Sequence, residues 1–266
     1  MTGLPAPLAR LPHAARIELA EAVALLERPS AAVRIASMVG LPAQRLVGVL
    51  PAPFRAGLAG GVGRALSVAA AAASRSAPGR APFGLSPAWL QRGMVAASGV
   101  VGGIGGLKGA LLELSLTTTL LLREILSVAA SQGEPADAAR TAEALKVFAL
   151  GSRSAEDDTA GIGYFALRMT LAEAGPGLLA QAAAGVLPGL VGAVAQRFTG
   201  PVATKLAAQA APLIGAAGGV AMNLVFLSHY RDAARGHFVL HRLERDHGAA
   251  AVQAVYAEVS GLLPAS

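Results

Sequence analysis

Apolar residues dominate this chain and recur with helical spacing, and no segment of useful length alternates between apolar and polar positions as a strand would. Prolines interrupt the first third, so we expect any helices there to be short. These prolines stand at positions 5, 7, 12, 29, 42, 51, 53, 78, 82 and 87. From Ser86 onward the apolar runs are longer. The pattern predicts an all-α fold, a multi-helix bundle whose Gly- and Ala-rich helices pack closely.

Capping residues place several of the predicted helices. Ser30 is suited to cap a helix that runs to about Val39, and Gly133 is suited to close the helix before it. An amphipathic helix carries Ala142, Leu145, Phe148 and Ala149 on one face. The predicted helices span residues 16–28, 31–39, 114–132, 134–150 and 225–245, and one short helix follows in the tail. Residues 54–74 form a further apolar stretch.

A change of amino-acid composition near residue 84 suggests how the chain is organised. The sequence Ser74–Gly84 is rich in Ser, Pro, Gly and Arg and is typical of a linker. We therefore predict three segments: an Arg-, Pro- and Ala-rich helical extension with its linker over 1–84, a helical domain over 85–248, and a short C-terminal helix with a tail over 249–266.

Six glycines crowd the eleven positions from Gly99 to Gly109, where an isolated helix would be strongly destabilised. Pairs of them lie four residues apart, a spacing that lets two helices approach backbone to backbone. Such an approach is found in soluble bundles and in lipid alike. The predicted helix-packing glycines are Gly99, Gly102, Gly103, Gly105, Gly106 and Gly109, with Gly215, Gly218 and Gly219 further along the chain.

Two uncharged runs, 177–196 and 206–230, are about long enough to cross a membrane. Ala and Gly dominate both runs, and these residues contribute little to insertion, so a transmembrane assignment does not follow. The run 93–122 holds only Lys108 and Glu113 as charges, and we expect a break near Lys108 and a hairpin-like pair of helices there.

Composition adds that the chain is unusually apolar for a soluble protein: 54% of residues are hydrophobic, 14% are charged, and the mean hydropathy is +0.54. The net charge of +6 is uneven, because residues 1–92 hold ten Arg against three acidic residues. This excess suits an anionic lipid surface. Nucleic acid is not an expected partner, since aromatic residues make up only 4% and no nucleic-acid motif is present.

The first residues carry prolines, a histidine and charges where a signal peptide needs an uninterrupted apolar core, so we expect no cleaved export signal. There is no cysteine, which removes disulfides and Cys-based metal sites from consideration. We expect a cytoplasmic protein, peripheral at the inner face of the membrane.

Two stretches in a fixed order carry a resemblance to a known family. The first has a Gly-rich run from 102, then Glu113, an apolar helix with Arg123, and Gly133. The second begins at Pro212 and includes Asn223, Phe226, Ala234 and Phe238. Together they resemble the EcsC protein family over about 88–243.

The resemblance implies little about activity: the family is named for a bacterial protein encoded beside an ABC transporter, and its biochemical activity is not established. Two positions depart from the family pattern. Glu113 is followed by Leu114 and Ser115 where the family commonly has Asp followed by Pro, and Gln132 stands where an aromatic residue commonly precedes the glycine.

Glu113, Arg123 and Asn223 are polar residues in apolar surroundings and are the candidate polar core or ligand contacts. A structural role would be a buried ion pair or a charge at a helix end for Glu113 and Arg123, and an interhelical hydrogen bond for Asn223. On one helix Glu113 and Arg123 would lie about 15 Å apart, so they need a third partner or a break between them. A functional role would be a polar pocket for a small molecule.

The last long helix carries a candidate membrane-facing basic surface formed by Arg231, Arg235, His237, Phe238 and Arg242. Arg and His beside apolar residues suit an interfacial helix, although packing in a soluble bundle gives the same periodicity. His237 and His241 have the i, i+4 spacing of zinc ligands, but the surrounding arginines would repel a cation. We predict no metal and no cofactor.

No catalytic constellation is present, and an enzyme hypothesis has no positive support in the sequence. The sequence favours a non-enzymatic helical protein that associates with an anionic membrane surface or with a membrane protein. Two alternatives remain open: a soluble enzyme or small-molecule binder with a polar pocket near Glu113, Arg123 and Asn223, and an accessory interaction module for an ABC transporter.

Overall fold

The computed structural model describes residues 11–75, 113–152, 163–173, 188–210 and 215–261. Nearly all of them are helical and none of them lies in a strand, so the all-α bundle is confirmed. The described helices are α1 His13–Leu26, α2 Ala31–Val39, α3 Ala43–Gly48, α4 Ala52–Arg75, α5 Glu113–Ser131, α6 Ala138–Leu150, α7 Tyr164–Glu173, α8 Pro188–Ala210, α9 Gly215–His247 and α10 Ala249–Ser260.

Two of the predicted helix boundaries are set by the residues that were expected to set them. Ser30 has an extended backbone, and its hydroxyl accepts a hydrogen bond from the backbone N–H of Val33 at 3.4 Å, so it caps α2. Helix α5 ends at Ser131, and Gly133 has a φ of 78°, a left-handed conformation that favours glycine. Both predictions are confirmed.

Two predictions about helix extent are wrong. The helix expected over 134–150 starts at Ala138, because the Asp137 carboxylate accepts the N–H of Arg140 at 2.9 Å and caps the helix there. The expectation of short helices in the first third fails for α4, which has 24 residues. No proline stands between Pro53 and Pro78, so nothing interrupts that helix.

The helices bury two hydrophobic clusters that meet along α9. The first cluster draws on α2 to α6, α8 and α9, and its centre is aromatic: the Phe148 ring lies 4.7 Å from that of Phe198, which lies 5.4 Å from that of Tyr230. The second cluster joins α1, α7, α10 and the C-terminal part of α9 around Leu19 and Leu243. Helix α9 therefore contributes side chains to both clusters.

Helix α1 lies against α9 at a glycine that the sequence analysis did not single out. A Cβ atom at Gly236 would lie 2.6 Å from Leu26 Cγ and 3.0 Å from the backbone oxygen of Ala22. Only a glycine admits so close a backbone approach. Gly236 is thus a helix-packing glycine of the kind expected elsewhere in the chain.

The predicted boundary near residue 84 lies outside the described residues. Within them, α1 packs on α9 and α10, whereas α4 packs on α8 and α6. Helices from the N-terminal third therefore share both hydrophobic clusters with helices of the segment expected over 85–248. Helix α10, from the last predicted segment, packs on α1 and α9.

Candidate functional site

Glu113 forms a buried ion pair with Lys205, which extends from α8. Lys205 Nζ lies 2.6 Å from Glu113 Oε1, and Gln209 Nε2 donates a hydrogen bond to Glu113 Oε2 at 3.3 Å. Burial lowers the pKa of Lys205, and the charge and hydrogen bond of Glu113 oppose that shift. The ammonium also lies 5.7 Å from the ring centroid of Phe226. This pair joins α5 to α8 inside the first cluster.

The structure does not bring two of the three candidate polar residues, Glu113 and Arg123, together. Arg123 is half-buried on α5, ten residues after Glu113, so the two lie about 15 Å apart along the helix axis. Asn223 is fully buried on α9. The carboxylate of Glu113 is satisfied by α8, and a ligand pocket centred on it has no support in its contacts.

The glycine run from Gly99 to Gly109 lies outside the described residues. Gly215, Gly218 and Gly219 fall in the first turns of α9, and their role in helix packing stays a prediction.

The candidate basic surface on α9 is not a single outward face. His237 and Phe238 are buried, with exposures of 1% and 0%, while Arg235 is exposed and Arg231 and Arg242 are half-buried. The prediction that His237 and Phe238 face a membrane is therefore wrong. Helix α9 is packed by α1 on one side and by α6 on another, and this packing covers both side chains.

His237 lies at the centre of a buried polar cluster, here called the His237 cluster, formed with Tyr164, Glu143 and Lys146. The Tyr164 hydroxyl lies 2.6 Å from His237 Nδ1, and Glu143 Oε2 lies 3.3 Å from His237 Nε2. Lys146 Nζ lies 2.6 Å from the other oxygen of Glu143. Three helices, α6, α7 and α9, are joined in this way.

Burial sets the ionisation of the His237 cluster. It lowers the pKa of His237, an effect that Glu143 opposes, and it raises the pKa of Tyr164 well above its usual range. Burial also acts to raise the pKa of Glu143, but the hydrogen bond and charge of His237, together with Lys146, outweigh it and hold that pKa well below its usual range. A deprotonated Glu143 is therefore the native form.

Three other basic residues of α9, His241, Arg242 and Arg245, contact acidic side chains of neighbouring segments. Glu134, before α6, lies 2.9 Å from His241 Nδ1 and 2.6 Å from an Arg245 nitrogen. Arg242 pairs with Glu18 of α1. The acidic residue Glu244, also on α9, receives two parallel hydrogen bonds from Arg168 at 2.8 and 2.7 Å. These contacts bind α9 to its neighbours, whereas Arg235 is exposed and has no ion-pair partner among the described side chains.

Sequence reasoning missed this network because its partners are far apart in the chain. His237, His241 and Glu244 repeat at four and three residues, so one face of α9 is polar, and that spacing was available. Nothing in the local sequence paired that face with Glu134 or Glu143.

Four other helices carry basic residues without any acidic ones. Helices α2, α3, α4 and α8, here called the basic layer, contain seven Arg or Lys residues and no Asp or Glu. Helix α8 packs on each of the other three. The exposed cations are Arg45, Arg55 and Arg64, and Arg34 is half-buried. Among the described residues, no acidic side chain pairs with these four arginines.

The uncharged runs are largely covered where the structure describes them. Side chains of α8 and α9 that belong to them, such as Val194, Leu206 and Phe226, lie in the first cluster. Of the described helices, α5 is long and apolar enough to cross a membrane, with a mean hydropathy of 1.3, and half of its apolar window is buried. A core helix of a soluble protein meets the same criteria.

Among the residues that the structure describes, no group of three or more acidic, His or Cys side chains could hold a metal ion. Comparison with curated proteins and with solved structures found no match. The model of the EcsC protein family matches residues 88–243, which is more than half of the chain. This match covers the segments that hold Glu113, α8 and most of α9. The chain therefore belongs to the EcsC protein family.

Proposed function

We propose that this EcsC family member is a non-enzymatic helical protein that binds the anionic surface of the inner membrane from the cytoplasmic side. The observation that carries the proposal is the charge segregation. The basic layer holds cations alone, whereas every described Asp and Glu lies outside its four helices.

Four arginines of the basic layer, Arg34, Arg45, Arg55 and Arg64, differ from Arg242 and Arg245 of α9 because no described acidic side chain pairs with them. Arg242 and Arg245 are engaged by Glu18 and Glu134. Arg45 and Arg55 are exposed and have no such partner among the described side chains. An exposed cation without a counter-charge contributes its full field to the surface potential.

The expected electrostatic free energy of binding is of a size that allows reversible binding. Each Lys or Arg near an anionic leaflet contributes about 1 kcal/mol, so the four unpaired arginines supply about 4 kcal/mol, or roughly a thousandfold in partitioning. The attraction falls off within a Debye length, about 8 Å at physiological ionic strength. Peripheral and salt-sensitive association follows, rather than insertion across the bilayer.

Vesicle co-sedimentation tests the proposal with two double variants that lower the net charge equally. Arg45→Gln/Arg55→Gln removes unpaired charge from the basic layer, and we expect roughly thirtyfold weaker binding to phosphatidylglycerol vesicles. Arg16→Gln/Arg235→Gln is the matched control outside the layer. Arg16 is 39% exposed in a surface ion pair with Glu258, so its loss costs little stability.

The proposal predicts that the control binds within about twofold of the wild type, because its charges lie outside the basic layer. Equal weakening by both double variants would show that net charge alone acts. Wild-type protein that stays in the supernatant with anionic vesicles at low salt would contradict membrane binding itself.

A further inference from the structure

We propose that residues 38–53, here called the α3 tip, are the part of the basic layer that enters an anionic leaflet. The inference rests on the proposed function and adds the element that inserts. It assigns two roles: apolar side chains at the turns on either side of α3 sink between lipid headgroups, and the neighbouring arginines contact lipid phosphates.

Exposed apolar side chains are concentrated in this segment. Met38 is 51% exposed, Leu41 is 41% exposed and Val49 is 55% exposed. They are three of the eight large apolar residues that the structure describes as exposed, and they fall within twelve positions. Exposed apolar residues are ordinary when scattered singly, but a local group ringed by cations marks an interaction surface.

The two turns lie close together because α3 is short. Its six residues span about 9 Å, with Leu41 just before it and Val49 just after it. Leu46 and Leu50 are buried in the first cluster, so the tip is fixed to the core through α3 and through the turn after it. A pre-positioned tip loses little conformational entropy when it binds.

The backbone of the α3 tip is also suited to a poorly hydrated environment. Three prolines stand at its turns, all exposed: Pro42, Pro51 and Pro53. Proline has no N–H, so each removes a donor whose loss of water would otherwise oppose insertion. Gly40 closes α2 in the left-handed conformation, and its N–H is already bonded within the helix end.

Charge complementarity identifies the occupant as an anionic lipid surface. Arg34 and Arg45 lie within the α2–α3 segment and Arg55 lies in the first turn of α4, so cations stand on both sides of the apolar turns. No acidic residue occurs anywhere between Glu27 and Glu113. A second copy of the same surface would be repelled by these charges, whereas a phosphate-bearing leaflet is attracted.

The absence of cysteine from the chain allows a site-specific test. Single-cysteine variants Leu41→Cys and Val49→Cys are labelled with an environment-sensitive fluorophore and titrated with equimolar phosphatidylglycerol and phosphatidylcholine vesicles. Met169→Cys is the matched control, since Met169 is 60% exposed on α7, outside the basic layer. Lipids that carry a quencher in the upper part of the acyl chain report how deeply the fluorophore enters the leaflet.

We expect blue-shifted and quenched emission from labels at 41 and 49 on anionic vesicles, and unchanged emission from the label at 169. A second measurement uses the unlabelled variant Leu41→Asn/Val49→Asn, with circular dichroism to verify its helices. We expect about tenfold weaker binding to the same vesicles, since two apolar side chains no longer leave water on binding.

The outcomes separate the two proposals. If the wild type binds anionic vesicles but labels at 41 and 49 do not respond, or the label at 169 responds equally, the α3 tip is not the inserting element and the proposed function stands. If the wild type does not bind, the proposed function fails, and this inference fails with it. Self-association of the wild type that is abolished by Leu41→Asn/Val49→Asn would also overturn the tip's assignment to lipid.

Discussion

At the scale of single residues, the structure shows how a chain rich in small and apolar side chains obtains specific packing. Gly236 lets α1 lie directly on α9. The buried Glu113–Lys205 pair fixes α5 against α8, because either charge alone in the core would be costly. Both features act through one side chain, or its absence, and both are open to single substitutions.

Gly236→Ala should destabilise the protein by about 1–3 kcal/mol, because the added Cβ would meet Leu26 and the α1 backbone. Gly192→Ala in α8 is the matched control. A Cβ at Gly192 meets nothing within 4 Å, so alanine there should stabilise the helix by about 0.5–1 kcal/mol. Urea unfolding gives both values. Opposite signs are the expected result, and equal effects would contradict the close approach.

Lys205→Met should cost about 3–5 kcal/mol of unfolding free energy, since it leaves the Glu113 carboxylate buried without its counter-charge. The double variant Glu113→Gln/Lys205→Met removes both charges and should recover most of that loss. Denaturant unfolding of both variants checks this. A double variant as unstable as Lys205→Met would mean that packing, not charge pairing, is what Lys205 provides.

At the scale of elements, α9 is the helix around which the others are arranged, and its polar face is internal. The His237 cluster links it to α6 and α7, and Glu134 links it to the loop before α6. Because burial lowers the pKa of His237, the stability of this junction depends on pH.

The stability of the α9 junction should fall as the pH is lowered. The folded-state pKa of His237 lies below its unfolded value of about 6.5, so the unfolded chain binds the proton first and stability is lost as the pH falls through that value. One such group gives a slope of up to about 1.4 kcal/mol per pH unit. Glu143, whose pKa is also lowered, adds a loss in the same direction at lower pH.

Urea unfolding of the wild type and of His237→Gln between about pH 7 and 5 measures this contribution. The variant should show a shallower pH dependence over that range. His13→Gln is the control, because His13 is exposed on α1, and it should keep the wild-type slope. An unchanged slope in His237→Gln would contradict the role of His237.

Prediction from sequence succeeded at this scale where the signal was local. Ser30 and Gly133 act on their own helices, and their spacing to the apolar pattern was enough to place α2 and the end of α5. It failed for α9, because whether His237 faces water or Tyr164 depends on a helix more than sixty residues away. The ion-pair partner of Glu113 was likewise hidden, since Lys205 stands on a different helix.

At the scale of the whole molecule, charge is distributed by element. Glu18 and Glu134 pair with α9 and Glu113 pairs with α8, whereas the basic layer of α2, α3, α4 and α8 contains no acidic residue. The sequence showed the basic excess of the first third, but only the packing shows that α8, an equally acid-free helix from far along the chain, lies against it. The result is a layer of four packed helices whose exposed arginines, Arg45, Arg55 and Arg64, have no acidic partner among the described residues.

The most direct test is the partitioning of wild-type protein onto vesicles at two ionic strengths. The account predicts binding to phosphatidylglycerol vesicles at about 0.01 M salt, where the Debye length is about 30 Å, and loss of most of that binding at about 1 M, where it is about 3 Å. Vesicles of phosphatidylcholine alone should bind little protein at either ionic strength. Binding that ignores both lipid charge and salt, or no binding to anionic vesicles at low salt, would contradict it.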